Sequence, residues 1–156
     1  EGEIDLILTT EQSSLPGAEL LREEPVLWYG AAKGKAWRNR PLPIAYEPRC
    51  LFRSIAIAAL DHAAIPWDAH FGASDWRDYS AFVSADLAVV GILKGTQHNE
   101  WALVPDEAQL PSLPKFGIYM YLTETATHDL AAQLAGFVRD EYYRCQPRHH
   151  TERLMA

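Results

Sequence analysis

Cysteine and long apolar runs are scarce in this 156-residue sequence. Its two cysteines, Cys50 and Cys145, stand far apart, so they form no disulfide framework, and a reducing compartment is the default expectation. No stretch approaches the roughly 20 apolar residues of a membrane-spanning helix. No positively charged and then apolar leader opens the sequence. We therefore expect a cytoplasmic location and no membrane partner.

Positive charge is also in short supply. Lysine and arginine number 14 against 21 acidic residues, which gives a net charge of −7. Because phosphate contacts need clustered Lys and Arg, this balance argues against a nucleic-acid surface on this part of the protein. The hydrophobic fraction of 48%, with five Trp and seven Tyr, is instead typical of a globular core. The length predicts one domain, or two small lobes that share a crossover.

Short strand and helix signals alternate along most of the chain. Apolar runs predict strands, and apolar residues at helical spacing predict helices. Strands are expected at 4–8, 26–29, 42–46, 67–71, 87–93 and 116–122. Helices are expected over 50–64, from Ser74 as N-cap onward, and from Thr127 as N-cap onward, with 94–114 irregular. This βα order predicts a parallel sheet with ligand space at the carboxyl ends of its strands.

The last predicted helix carries apolar residues at the spacing of a single face. These residues predict the side of the helix that packs on the core. They are Leu130, Leu134, Phe137 and Val138.

Three segments, in this order, resemble the effector-binding domain of LysR-type transcriptional regulators. EIDLILTTE (3–11) resembles the acidic-strand segment of that family. LLREEPVLWYGA (20–31) and PLPIA (41–45) resemble the strand that leads into the first hinge and the strand that opens the second subdomain. CLFRSIAIAALDHAAIPWDAHFGASDWRDYSAFVSADLAVVGIL (50–93) resembles the helix, strand, helix and strand of the second subdomain. The resemblance covers about residues 2 to 140.

The resemblance implies an α/β fold of two Rossmann-like subdomains, of the type 2 periplasmic-binding-protein kind. Subdomain one is expected to comprise 1–40 and 117–145, subdomain two 41–116, and a flexible tail 146–156. The family's DNA-binding region and the first half of subdomain one would precede Glu1, so we expect subdomain one to be incomplete here. One departure from the family pattern lies in ADLAVV (85–90), where the family typically has glycines. Asp86 can still adopt the positive φ that glycine takes readily.

The function implied by the resemblance is sensing of a small-molecule effector in a bacterial LysR-type regulator. An effector bound between the subdomains would shift their geometry and so control transcription. The full-length protein would contact DNA through its N-terminal region and form a homo-oligomer. We expect no enzyme activity, no cofactor and no metal.

The residues themselves point to an anionic ligand. Arg49 and Arg53 flank the start of the helix over 50–64, where free N–H groups and the helix dipole favour a carboxylate. An aromatic or apolar acid would suit the site, because Phe52 and Trp76 are near in sequence. By resemblance, Thr10 and Ser74 would supply hydroxyl contacts and 50–52 would line the cleft. The expected ligand-binding residues are therefore Thr10, Arg49, Cys50, Leu51, Phe52 and Ser74.

Each of these residues also has a purely structural interpretation. Thr10 could be a turn residue, Ser74 a simple helix cap with Asp75 in the first turn, and Arg49 a solvated side chain. Two other functions stay open: a solute-binding protein of a transport system, and a small α/β enzyme using Cys50 or an Asp/His pair. A cysteine at a helix N-terminus can have a lowered pKa. His62, about three turns along the same helix, is too far away to act as its base.

Motifs for metals and phosphates are weak. The adjacent His149 and His150 lie in a polar tail and are expected to be solvated, and no Cys/His spacing fits a zinc site. GAAKGK (30–35) lacks the frame of a phosphate-binding loop.

Overall fold

The computed structural model describes residues 4–69, 75–123 and 129–144. Its strands are β1 (Leu6–Glu11), β2 (Ala18–Ala31), β3 (Leu42–Pro43), β4 (Trp67–Asp68), β5 (Val90–Leu93), β6 (Trp101–Leu103) and β7 (Lys115–Leu122). Its helices are α1 (Leu51–His62), α2 (Trp76–Ser84) and α3 (Asp129–Arg144). Two short 3-10 helices cover Ala36–Arg38 and Asp106–Ala108.

The chain divides into two compact units. The first takes in both ends of the chain, up to Glu23 and from Gly117 onward, and the second runs from Glu24 to Phe116. The long strand β2 gives its first residues to the first unit and the rest to the second. The assignment of 1–40 with 117–145 and of 41–116 to effector-domain subdomains stays a prediction.

In the first unit, β1 and β7 pair antiparallel, from Leu6 opposite Leu122 to Glu11 opposite Gly117. The strand order places β7 between β1 and β2. Helix α3 packs on this sheet through small residues, since Ala135 is fully buried with Leu21 and Met120. Small side chains let the helix backbone approach the sheet closely.

In the second unit, β2 lies between β5 and β6 and pairs antiparallel with both. The short strands β3 and β4 are parallel, and Ile44 forms a parallel bridge with Val89. Helices α1 and α2 cover this framework through Leu60 and Val83, both completely buried. Ile65-Pro66 follows α1, because the residue before a proline disfavours helical geometry.

Several predicted elements are confirmed. The strand expected at 116–122 is β7, and the helix expected over 50–64 is α1. The strands expected at 42–46 and 87–93 are present as β3 with its bridge and as β5. In each case a local apolar period was enough to identify the element.

Other expectations were wrong. A wholly parallel sheet is not what forms: β1 pairs antiparallel with β7, and β2 pairs antiparallel with β5 and β6. Parallel pairing joins β3 to β4 and Ile44 to Val89. The run 4–8 is not a buried strand, since Ile7 and Leu8 in β1 are 40% and 45% exposed. The segment 94–114 is not wholly irregular, because it contains β6.

The helix starts and faces also differ from expectation. Asp75, not Ser74, is the N-cap of α2, and its carboxylate accepts from the N–H groups of Arg77 at 2.7 Å and Asp78 at 3.3 Å. In α3 the expected core face is largely exposed, while Ala131 and Ala135 are buried. Thr127, the predicted cap of α3, lies outside the described residues.

Candidate functional site

The start of α1 carries most of the predicted ligand-binding residues. Cys50 takes the N-cap position, and its N–H donates to the Glu47 carbonyl at 3.2 Å. One turn later the Arg53 N–H donates to the Cys50 carbonyl at 3.1 Å. The first N–H groups of a helix lack the carbonyl partner four residues earlier, and the dipole of this 12-residue helix adds partial positive charge there. Part of this donor capacity is already used, since the Phe52 and Arg53 N–H groups also donate to the Cys50 side chain. The arrangement suits a small anion.

Arg49 strengthens the positive character of this helix end. It is exposed, and it makes no ion pair within the described part of the chain. Arg53, one turn into the helix, is half-buried. A guanidinium beside free N–H groups can bind a carboxylate through two parallel hydrogen bonds. Glu47, which precedes the helix, opposes this attraction with its own negative charge.

The Cys50 thiol does not have the properties of a nucleophile. Burial raises its pKa, and the nearby Glu47 carboxylate raises it further by a smaller amount. Hydrogen bonds from the Phe52 and Arg53 N–H groups lower the pKa of the Cys50 thiol, but burial outweighs them, so the fraction of reactive thiolate is small at neutral pH. The pKa of Tyr79 is likewise raised, chiefly by burial and then by Cys50 and Glu47.

Leu51 and Phe52 occupy contrasting surroundings. Leu51 is 48% exposed at the first helical position. Phe52 packs edge-on against Phe116, with ring centroids 5.3 Å apart and planes at 89°. Leu51 is thus available for contact with a ligand, whereas Phe52 also supports the core of the second unit.

Thr10 and Ser74 are the two residues predicted to supply hydroxyl contacts. Thr10 lies inside β1, paired with Ile118, and not at a strand end as expected. Its part in a site with Arg49 stays a prediction. On the other side of β1, the hydroxyl of Thr9 is buried without a hydrogen-bond partner among the described residues. Ser74 lies outside the described residues.

Among the hollows of the second unit are two that the sequence did not indicate. The larger, of about 640 Å³, is lined mainly by apolar residues of 26–28 and 103–113. The smaller, of about 250 Å³, lies between α2 and the segment 96–101. Both depend on the stretch 94–114, whose polar residues and prolines gave no periodic signal. Trp76 lines the smaller hollow, whereas the sequence indicated it as an apolar neighbour of the anion site.

Among the described residues, no group of three or more His, Cys, Asp and Glu side chains is placed to hold a metal ion. In the same part of the chain, none of the helices combines the length and apolar character needed to cross a bilayer.

Known proteins share sequence or fold with this chain. No family model matches the chain. Over 131 residues it is 31% identical to the HTH-type transcriptional regulator PecT of Dickeya dadantii (strain 3937), a match that covers 83% of this chain and 40% of PecT. The chain thus spans less than half the length of that relative.

Two solved structures share the fold at low identity. The DarR regulator of Vibrio fischeri, solved in complex with DNA, matches with a TM-score of 0.66 and 13% identity over 89% of this chain and 51% of its own. The C-terminal domain of a probable LysR family regulator from Rhodococcus sp. RHA1 matches with a TM-score of 0.63 and 13% identity, over 88% of this chain and 75% of its own. The chain has the fold of a LysR-type regulatory domain.

The LysR-type fold confirms the resemblance seen in the sequence and the predicted α/β fold of the type 2 periplasmic-binding-protein kind. The segment 50–93, whose sequence resembles the second subdomain of that family, begins with helix α1. The relatives named here are transcriptional regulators, not enzymes.

Proposed function

We propose that this chain senses a small carboxylate effector for a LysR-type bacterial transcriptional regulator. The LysR-type fold supports this role, as does the similarity to a regulator over 83% of the chain. The same similarity favours sensing over the solute-binding alternative. The observation that carries the proposal is the positive end of α1, beside which Arg49 is exposed and makes no ion pair with any residue that the structure describes.

The ligand-binding residues act in different ways in this proposal. The first-turn N–H groups and Arg49 bind the carboxylate, and Leu51 and Phe52 contact the apolar part of the acid. Cys50 supplies the turn that presents the N–H groups, as its N-cap geometry allows. Thr10 and Ser74 add hydroxyl contacts. Phe52 is only partly buried against the core, so its ring can also contact an aromatic acid.

Signalling requires that the effector bind two arrangements of the protein with different affinities. We propose that these are two arrangements of the subdomains 1–40 with 117–145 and 41–116. The full-length protein would read them out through an N-terminal DNA-binding region, as a homo-oligomer in the cytoplasm. DNA contact through this chain itself is not part of the proposal, given its net charge of −7.

The proposal is tested by the thermal stability of the chain with a panel of small carboxylates. Each acid is paired with its neutral primary amide. Since a ligand stabilises only the state that it binds, we expect at least one acid, and not its amide, to raise the Tm. Arg49→Ala should weaken that acid's binding about tenfold, because a charged hydrogen bond contributes roughly 1.5–3 kcal/mol.

Arg38→Ala is the matched control. Arg38 is also in the second unit, and its ion pair with Glu107 at 3.0 Å is largely exposed, so its loss should change little. A panel in which no acid raises the Tm would contradict the proposal. So would an acid that binds Arg49→Ala as tightly as the unchanged chain.

A further inference from the structure

The smaller hollow of the second unit combines aromatic walls with an uncharged polar rim. Its volume is about 250 Å³. Trp76 and Tyr79 of α2 and Trp101 of β6 supply the aromatic surfaces. The remaining lining side chains are hydroxyl, amide and imidazole groups: Ser80, Thr96, Gln97, His98 and Asn99.

The buried aromatic rings are held in place by the fold. Trp101 is only 8% exposed, and its indole N–H donates to the Ser84 hydroxyl at 2.9 Å. The Tyr79 ring lies 6.3 Å from Trp101 at an angle of 46°, and the His98 ring 6.1 Å away at 44°. These tilted rings form a concave wall before any ligand arrives.

Trp76 is one of the large apolar side chains that the second unit leaves exposed. It is 57% exposed at the first position of α2, which the Asp75 cap holds in place. The guanidinium of Arg77 lies 5.6 Å from the centre of the Trp76 ring. A large aromatic surface kept at the edge of a concave site is the usual device for stacking against a ligand.

The polar groups of the rim are partly oriented by the backbone. The side-chain oxygen of Gln97 accepts from the Gly95 N–H at 2.8 Å, so its NH₂ group remains to donate. The Thr96 hydroxyl donates to the Leu93 carbonyl at 2.7 Å, so its lone pairs remain to accept. The rim thus offers both donors and acceptors.

The charge of the lining restricts the ligand class. None of the eight lining residues that the structure describes is Lys, Arg, Asp or Glu. Two charges of opposite sign stand beside the lining, the Arg77 guanidinium 5.6 Å from the Trp76 ring and a Glu100 carboxylate oxygen 3.9 Å from His98 Nδ1. A charged ligand would therefore lose hydration and meet a like charge as well as an opposite one, which is costly. The volume also falls below the roughly 300–1,000 Å³ of pockets for drug-sized molecules. These limits favour a small, neutral, hydroxyl-rich molecule with one apolar face.

We propose that this hollow binds a neutral monosaccharide in its pyranose form. The C–H face of such a ring stacks on an indole, while its hydroxyl groups both donate and accept around the rim. The hollow is lined by none of the four predicted effector residues of 49–52. It is therefore a second ligand site in the same unit and does not depend on the proposed carboxylate site.

The test is a titration of the full chain with D-glucose, D-galactose and D-xylose, followed by ¹H–¹⁵N NMR. We expect saturable shifts of the indole signals of Trp76 and Trp101 and of the side-chain amide of Gln97. Trp76→Ala should weaken sugar binding about fivefold, the size expected for one lost aromatic stacking contact. Because Trp76 is mostly exposed, this variant keeps the core intact.

Two further variants make the result specific. Asn99→Ala, at an exposed position of the rim, should also weaken binding, whereas Leu103→Ala, 58% exposed and outside the hollow, should not. The proposal is overturned if no pyranose gives a saturable shift or if Trp76→Ala binds sugar unchanged. Shifts of these signals with acetate but with none of the sugars would overturn it too. Failure here would leave the carboxylate experiment unaffected, because that experiment reports on Arg49.

Discussion

Asp86 has a backbone conformation that glycine adopts readily, and its side chain makes contacts that a glycine could not make. Its φ is +58°, in the left-handed region that Asp and Asn tolerate better than other side chains. Its carboxylate accepts from the backbone N–H groups of Lys35 and Ala36, each at 2.8 Å. A Cβ added at Gly34 would collide with this carboxylate. Asp86 therefore holds the turn after α2 against the start of the 3-10 helix Ala36–Arg38.

We expect Asp86→Ala to lower the free energy of unfolding by about 2–3 kcal/mol, through left-handed strain and the loss of charged acceptors. Asp86→Asn should lose less, since it keeps an acceptor and tolerates the same φ. Asp86→Gly separates the two causes, because it relieves the strain but loses the acceptors. Urea unfolding measures all three. A glycine variant as stable as the unchanged chain would show that the hydrogen bonds contribute nothing.

At the scale of the element, an ion pair joins α3 to β2. The Arg139 guanidinium donates to both carboxylate oxygens of Glu19, at 2.7 Å and 2.9 Å from Nε and 2.7 Å from Nη2. This hydrogen bonding lowers the pKa of Glu19 and raises that of Arg139. The side chains are 36% and 38% exposed, so solvent screens much of the attraction.

We expect Arg139→Ala to cost about 0.5–1 kcal/mol of stability at pH 7. Because the folded-state pKa of Glu19 is lowered, this stabilisation is present above the usual glutamate pKa of about 4.3 and is lost as the pH falls through the lowered value. The stability difference between the variant and the unchanged chain should therefore shrink below about pH 4. Urea unfolding at several pH values measures it.

Arg144→Ala provides the comparison for this ion pair. Its partner Glu141 lies on the same helix, and the two side chains are 69% and 62% exposed. We expect little change in stability and no pH dependence tied to this pair. A difference for Arg139→Ala that stays constant from pH 7 to pH 3 would show that lost packing, not charge, explains the effect.

At the scale of the whole molecule, burial is distributed unevenly between the two units. The second unit contains many completely buried apolar side chains, among them Ile44, Val89 and Val90. Among the described residues of the first unit, the buried apolar side chains are few and lie around Met120, while Phe137 of α3 is 68% exposed. Local stability follows local burial of apolar surface.

We expect amide hydrogen exchange to be slowest at the parallel bridge of the second unit. There the Val89 N–H donates to the Pro43 carbonyl at 2.9 Å and the Ala45 N–H to the Val89 carbonyl at 3.1 Å. Amides of β1 should exchange at least about tenfold faster, because local opening of a poorly buried strand is easier. Exchange measured by NMR at neutral pH tests this, and equal protection of the β1 amides and of the Ala45 and Val89 amides would contradict it.

Local patterns in the sequence were sufficient for some elements and not for others. Helix α1 and strand β7 follow from apolar spacing and the Ile65-Pro66 stop, all of which are local. The N-cap of α2 was misplaced by one residue, since Ser74 and Asp75 are both good caps and backbone geometry selects between them. The positive end of α1 beside Arg49 was predicted, because it needs only a helix start and its preceding residue.

The hollow beside Trp76 could not be predicted in the same way. It brings α2 together with residues more than ten positions further along the chain, and nothing periodic marks that stretch. The low reactivity of the Cys50 thiol could not be predicted either, since its raised pKa depends on burial by distant residues.

The amino-acid sequence by itself determined the order of the elements, the resemblance to LysR-type regulators and the anion-friendly start of α1. These depend on residues close together in the chain. Only the tertiary structure decided that β1 and β7 pair antiparallel, that Ala131 and Ala135 face the sheet while Leu134 does not, and that Trp76 borders a hollow. Strand direction and burial are set by which distant segments meet, and a local pattern of apolar residues is the same whichever partner covers it.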